Sequence, residues 1–178
     1  MSWQSYGRRE EAYPSLAKDK SPVECHPTPS QPACRKNPVE VFVTHAIFHE
    51  FSLYSGWNLI TIPVENNLTA KSLLENITGC NIIYAWDSLN QTYKVYTSAS
   101  PDEYNFVIED GHAYFIGLSA NTNFSVTGAP LTNVSVHLYP GWNLIGWFKE
   151  EPTTAKSLLE NITGCNIIYA WDSLNQTY

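Results

Sequence analysis

Charge is what this sequence has least of. Only 15% of its 178 residues are Asp, Glu, Lys or Arg, against the usual quarter, so a solvated surface has to be built largely from Ser, Thr, Asn and Gln. Basic residues are the scarcer kind, with ten Lys and Arg against seventeen Asp and Glu and a formal net charge of -7. Residues 1–50 carry six of each sign, whereas residues 51–178 carry four basic and eleven acidic side chains. All of the excess negative charge therefore lies after residue 50. Nucleic acids and anionic membrane surfaces are excluded as expected partners of that region, because both are held by clustered Lys and Arg.

Long apolar runs are also missing. No stretch approaches the roughly 20 residues of a membrane-spanning helix, so no membrane insertion is expected. The opening "MSWQSYGRREEAYPSLAKDK" has no apolar core of the kind a secretory signal needs. On its face this is a soluble chain without an export signal. The motifs of common chemistries are lacking too: no Gly-rich phosphate loop and no G-x-S-x-G occurs. Asp102-Glu103 and Glu109-Asp110 are adjacent acids in expected loops, and such pairs form a solvated face or a weak calcium site more often than an acid/base dyad. His45 and His49 have i, i+4 spacing, but the zinc-protease pattern puts Glu directly after the first His, and no third ligand stands near. His112 and His137 have no partner nearby in sequence. The expectation is a protein that is not an enzyme, with no catalytic residue, no metal and no cofactor.

What is present is repetition. "TAKSLLENITGCNIIYAWDSLNQTY" fills residues 69–93 and returns letter for letter at 154–178. A shift of 85 residues also aligns "GWNLI" at 56–60 with 141–145, and 31 of 38 positions match over 56–93 against 141–178. Solenoid repeats run at about 20 to 50 residues. A period of 85 is domain-sized, so the expectation is beads on a string. The boundaries read as a leader at 1–40, a strand-like segment at 41–50, a first complete module at 51–135 and a truncated second module at 136–178. Six of the eleven Pro fall in residues 1–40 with few aliphatic side chains, a composition that does not build a core.

Within one module the signals are mostly strand. "WNLITIPV" is a short β-forming run, and "NIIYAWD" alternates with Ile82, Tyr84 and Trp86 on one face. "SLNQ" reads as a turn into "TYKVYTS", "NFVIEDGHAYFIGLS" as two strands joined at Asp110-Gly111, and "NFSVTG" and "VSVHLYPG" as two more. "TAKSLLENITG" is the exception, with Ala70, Leu73, Leu74 and Ile77 at helical spacing, Thr69 as N-cap and Gly79 as terminator. The fold class is mainly β: tandem small β-sandwich or partly open barrel modules of about seven strands, each with one short α-helix, the second incomplete.

Asn-X-Ser/Thr occurs at Asn67, Asn76, Asn90, Asn123, Asn133, Asn161 and Asn175, against about two or three expected by chance at this composition. These are the glycosylation candidates, although Asn161 and Asn175 are duplicates of Asn76 and Asn90, and Asn and Thr also suit turns for their own sake. Trp57, Trp86, Trp142 and Trp171 recur in register. Burial inside apolar strands is their ordinary outcome, and stacking on sugars the functional one. Cys25 and Cys34 flank "HPTPSQPA" and are a candidate disulfide, while Cys80 and Cys165 are the same position in the two copies. The latter two read as small buried thiols, or as a bridge between modules or molecules.

"LYPGWNLIGW", "TTAKSLLENITGC", "IIYAWDSLNQTYKVY", "FVIEDGHAYFIGL" and "FSVTG" resemble the tandem GWNL repeats of archaeal cell-surface and S-layer-associated proteins, which also occur in some secreted bacterial proteins. The resemblance covers residues 51–178 and implies an extracellular β-rich module, usually in arrays. It brings no catalytic residue or cofactor. It implies a structural or adhesive glycoprotein module whose partners are other surface-protein modules, neighbouring copies of itself, and glycans. Such proteins begin with an export signal, which this sequence does not show, and the second module holds only 38 residues of the repeat, so the chain is expected to be a fragment of a longer array. Two other functions stay open: a carbohydrate-binding module with Trp and Tyr exposed in a row, and a subunit of a strand-exchange filament.

Overall fold

A computed structural model describes residues 45–149 and 151–178. The leader at 1–40 and the Cys25–Cys34 pair lie outside the described residues. The described residues belong to one compact unit.

The first repeat is mainly β, with two antiparallel sheets around one core, sandwich-like and not a closed barrel. Strand β1 (Ile47–Leu53) pairs with β6 (Thr122–Gly128), Phe51 opposite Phe124. The second sheet has the order β2-β5-β3-β4, built from β2 (Gly56–Ile60), β5 (Tyr114–Leu118), β3 (Cys80–Asp87) and β4 (Thr92–Thr97). Leu53 and Phe124 from one sheet meet Ile60, Ile83, Ile116 and Leu118 from the other in that core. Helix α1 (Ala70–Asn76) adds Ala70, Leu73 and Leu74. Its start is set locally: Thr69 accepts from the Ser72 backbone N–H, and the Ser72 hydroxyl accepts from the Thr69 N–H at 2.8 Å. Past its end Gly79 takes φ +79, a conformation that suits a residue without Cβ.

Several expectations differ from what is observed. The first repeat has six strands, and β1 starts at Ile47, four residues ahead of the boundary at 51. Its pairing partner, β6, lies some 75 residues away in sequence, so its start is fixed by a contact that repeat matching does not see. "NFVI" is not a strand. It lies along the entry to α1, with the Ala70 N–H donating to Phe106 O and the Ile108 N–H to Leu68 O. "VSVHLYPG" is also irregular.

The central strand β5 is buried along its whole length. Tyr114, Ile116 and Leu118 face the core, and Phe115 and Gly117 face the opposite side. The Tyr114 phenol accepts from the Glu109 N–H at 2.7 Å, and burial pushes it up to about 12. A folded-state value above the unfolded one means that the native state holds the proton more tightly. That contribution to stability is complete below about pH 10 and is lost as pH rises from 10 through 12. Tyr114→Phe is accordingly expected to flatten the alkaline loss of stability across that window, measured by urea unfolding at pH 8, 10 and 11.5, although it also removes the acceptor for Glu109.

The identical 25-residue segment folds differently in its second copy. Helix α2 (Ala155–Asn161) reproduces α1, with the Thr154 hydroxyl accepting from the Ser157 N–H. "NIIYAWD" at 166–172, however, forms no strand, and neither does "GWNLI" at 141–145. A helix closes its hydrogen bonds within itself, whereas a strand needs a neighbour. In the first repeat that neighbour is β5, which pairs with both β2 and β3, and no segment of residues 136–178 matches it. The tip of the second hairpin survives as a local bridge between Asp172 and Thr177.

Candidate functional site: a reciprocal clasp between repeats

The outward face of the four-stranded sheet is aromatic. Alternation along β3 turns Ile83 to the core and Tyr84 and Trp86 outward, and Trp57 on β2 lies on the same outward side. The Trp57, Tyr84, Tyr93 and Trp86 rings pack in sequence, with centroids 5.3, 5.3 and 4.7 Å apart. The second repeat carries the counterparts: Trp142 against Tyr169, Tyr169 against Tyr178, and Tyr178 against Trp171. The expectation that these Trp residues are core is thus corrected. Trp57 is 37% exposed and Trp142 57%, and Trp86 and Trp171 are half-buried. Both faces of "NIIYAWD" are apolar, and the smaller side chains won the interior.

Each cluster ends in a hydrogen-bonded clasp on the other repeat. The side-chain amide of Gln176 accepts from the Trp57 backbone N–H at 2.6 Å and donates to the Trp57 carbonyl at 2.8 Å. The Trp171 indole N–H donates to that same carbonyl at 3.1 Å. In the other direction Gln91 accepts from the Trp142 N–H at 2.8 Å and donates to its carbonyl at 3.0 Å, and the Trp86 indole donates there at 2.7 Å. Every one of these residues is 85 positions from its counterpart. The six bonds form two copies of one pattern, related by an approximate twofold axis. In β2 the Trp57 N–H points away from β5, so Gln176 satisfies an open strand edge.

Local structure presents the clasp. Gln91 and Gln176 take φ of 52 and 53, the only non-Gly residues among those described with positive φ. Their hairpin tips are held by Asp87 and Asp172, whose carboxylates accept from Asn90 and Asn175 side chains at 3.0 and 2.9 Å and from the backbone N–H of the same residues. Those bonds, the side-chain ones first, hold both carboxyls below the usual carboxylate range. On the receiving side, Gly56 and Gly141 adopt φ +96 and +103, and a Cβ at either would come within 2.6 or 2.5 Å of the incoming Gln oxygen. Asn58 supports the turn from inside, accepting from the Tyr54 N–H and donating to its carbonyl. Asn143 does the same at Tyr139.

The clasp brings further contact with it. The Trp171 ring lies edge-on to Phe115 of β5 at 5.5 Å, and burial together with the neighbouring Tyr178 raises the Tyr93 phenol above its ordinary value. Away from the clasp, the Gly146 N–H donates to Gly111 O at 3.0 Å, beside an antiparallel bridge between His112 and Ile145.

The other sequence candidates fall outside this cluster or at its rim. All seven sequon asparagines, Asn67, Asn76, Asn90, Asn123, Asn133, Asn161 and Asn175, are exposed. Asn76 and Asn123 border one shallow depression with Leu68 and Phe124. Cys80 and Cys165 are free thiols, each half-buried, and burial pushes the Cys80 thiol up. His45 is exposed, and His49 stacks edge-on against Phe51 with its pKa lowered by burial. No helix among the described residues is long and apolar enough to cross a membrane. Reading the sequence alone missed Gln91, Gln176, Gly56 and Gly141. The available signal was that "GWN" and "NQT" recur at one common spacing of 85.

Compared with known proteins, the chain matches no family model, no curated protein and no solved structure.

Proposed function

We propose that this chain is a non-catalytic structural or adhesive repeat protein of a cell surface, of the kind its GWNL motifs resemble. The reciprocal clasp carries the proposal. Two repeats of one sequence spend their most distinctive side chains, Trp and Gln, on holding each other, which is the behaviour of a building unit. Seven exposed sequons and a surface poor in charge fit a glycoprotein in an extracellular layer, whose partners are other surface modules or neighbouring copies. The test is to label intact cells of the native host with a membrane-impermeant amine reagent and to map the seven asparagines by glycopeptide mass spectrometry. Labelling without lysis and glycan mass on several of the seven are expected. Labelling only after lysis, with all seven unmodified, would overturn the reading.

A second reading, as a carbohydrate-binding module, is favoured by one observation: Trp142, Tyr169 and Tyr178 are 57, 57 and 66% exposed and adjoin one another in the second cluster. Rings so placed can stack on a sugar face. Titration with soluble polysaccharide, followed by Trp fluorescence, separates the two, since a surface building unit without sugar affinity leaves the spectrum unchanged.

A further inference from the structure

Where two like units meet about a twofold axis, each residue on the axis faces its own counterpart and the two must share one space. Residues 61 and 146 occupy the same position in the two repeats, and they meet. A Cβ placed on Gly146 would overlap the Thr61 side chain, at its Oγ1, Cγ2 and Cβ together. Gly146 is not among the glycines with positive φ, so its backbone would accept any residue and only space demands glycine. The neighbouring backbone cannot easily give way, because Gly146 N–H is bonded to Gly111 O and Ile145 is bridged to His112. Thr61 and Gly146 are also one of only seven non-identical pairs between 56–93 and 141–178.

We propose that position 61/146 sets which repeats pair: a repeat carrying Thr there accepts as partner a repeat carrying Gly there, and rejects another Thr repeat. Thr against Thr would force two side chains into the volume of one. Gly against Gly would leave a hole of about one side chain, which costs contact without a clash. The clasp residues, identical in both repeats, supply attraction and cannot discriminate. The Thr/Gly contact supplies the discrimination, by repulsion of the wrong partner. Because the contact is closed and reciprocal, repeats of this kind associate in unlike pairs and not as an open string.

This inference rests on the clasp geometry and not on the cellular location. Its test uses the whole 178-residue chain and three variants: Gly146→Thr, Thr61→Gly, and the swap Thr61→Gly/Gly146→Thr. Backbone amide exchange is read at Trp57 and Trp142, the two N–H groups held by the clasp, with the amides of Ile83 and Ile116 as controls for the first repeat's core. Gly146→Thr is expected to raise exchange at Trp57 and Trp142 by about tenfold or more while the core amides keep their protection, and Thr61→Gly to have a smaller effect. The swap restores both packing partners in exchanged positions, and it is expected to return protection to within about threefold of the starting chain. Protection retained in Gly146→Thr overturns the proposal. So does a swap no better than Gly146→Thr, including the case in which Gly146→Thr unfolds the chain. Lack of protection at Trp57 and Trp142 in the unaltered chain would instead overturn the clasp itself.

Discussion

Ile116→Ala is expected to destabilise the first repeat by about 3 kcal/mol, within the range of about 2–5 found for buried Ile or Leu truncations. Ile116 is fully buried at the middle of β5, opposite Asn58 on β2 and Ile83 on β3. β5 is, with β3, one of the two interior strands of the four-stranded sheet, paired with β2 on one side and β3 on the other, and Phe115 beside Ile116 receives the Trp171 ring of the second repeat. A cavity there removes contacts from the core and loosens the strand that carries the inter-repeat contact. Collapse of neighbouring side chains into the space is restricted, because Ile83 and Leu73 are themselves fully buried. Urea unfolding followed by far-ultraviolet circular dichroism measures the effect. Phe48→Ala, at a side chain 63% exposed on β1, serves as the control and is expected to change stability by less than about 0.5 kcal/mol. A loss under about 1 kcal/mol for Ile116→Ala would contradict the place given to β5.

Gln91→Ala and Gln176→Ala are expected to act across the repeat boundary and in opposite directions. Gln176→Ala removes two of the three bonds on the Trp57 backbone, and Gln91→Ala two of the three on Trp142. Net contributions near 1 kcal/mol per neutral bond, lower where water competes, place each loss at a few-fold to about thirtyfold in amide exchange. Each effect falls on the residue in the other repeat. The double variant is expected to release both clasps, and because the two hold the same pair of bodies together, its effect should exceed the sum of the singles. Glutamate in place of Gln91 or Gln176 keeps the acceptor for the Trp N–H but sets a carboxylate oxygen against the Trp carbonyl. It should therefore be at least as damaging as Ala despite its closer shape. An exchange change confined to the repeat that bears the substitution would show that the contacts across the boundary are not what protects Trp57 and Trp142.

The parts of this fold that were legible in the sequence are those whose causes are local. Thr69, the Leu73-Leu74-Ile77 spacing and Gly79 specify a helix within eleven residues, and the helix forms in both copies with or without a sheet beside it. The β3-β4 hairpin follows from alternation around a four-residue turn, and the 85-residue period is plain from identity alone. What was not legible depends on distant partners. β1 is fixed by β6, and the alternation of "NIIYAWD" cannot say which of two apolar faces goes inward. Ile83 took the core face with Ala85 packed against the core, and Tyr84 and Trp86 took the outer face, where the Trp57 and Tyr93 rings meet them. The same seven letters are strand at 81–87 and irregular at 166–172, which no local rule predicts. The clasp was hidden for a further reason: Gln in a turn reads as a solvated side chain until the Trp backbone it meets is in view. Thr61 and Gly146 were visible as a mismatch in the repeat, but only their contact gives the mismatch a meaning.

The pairing of the two repeats is tested most directly by nuclear Overhauser contacts of the Trp171 indole in the 178-residue chain. Strong contacts from the Trp171 ring to the Phe115 ring, and from its indole N–H to the Trp57 backbone, are expected, with the mirror contact from the Trp86 indole N–H to the Trp142 backbone. A Trp171 ring in contact with Tyr178 alone, and a Phe115 ring with no neighbour from residues 154–178, would contradict the reciprocal clasp.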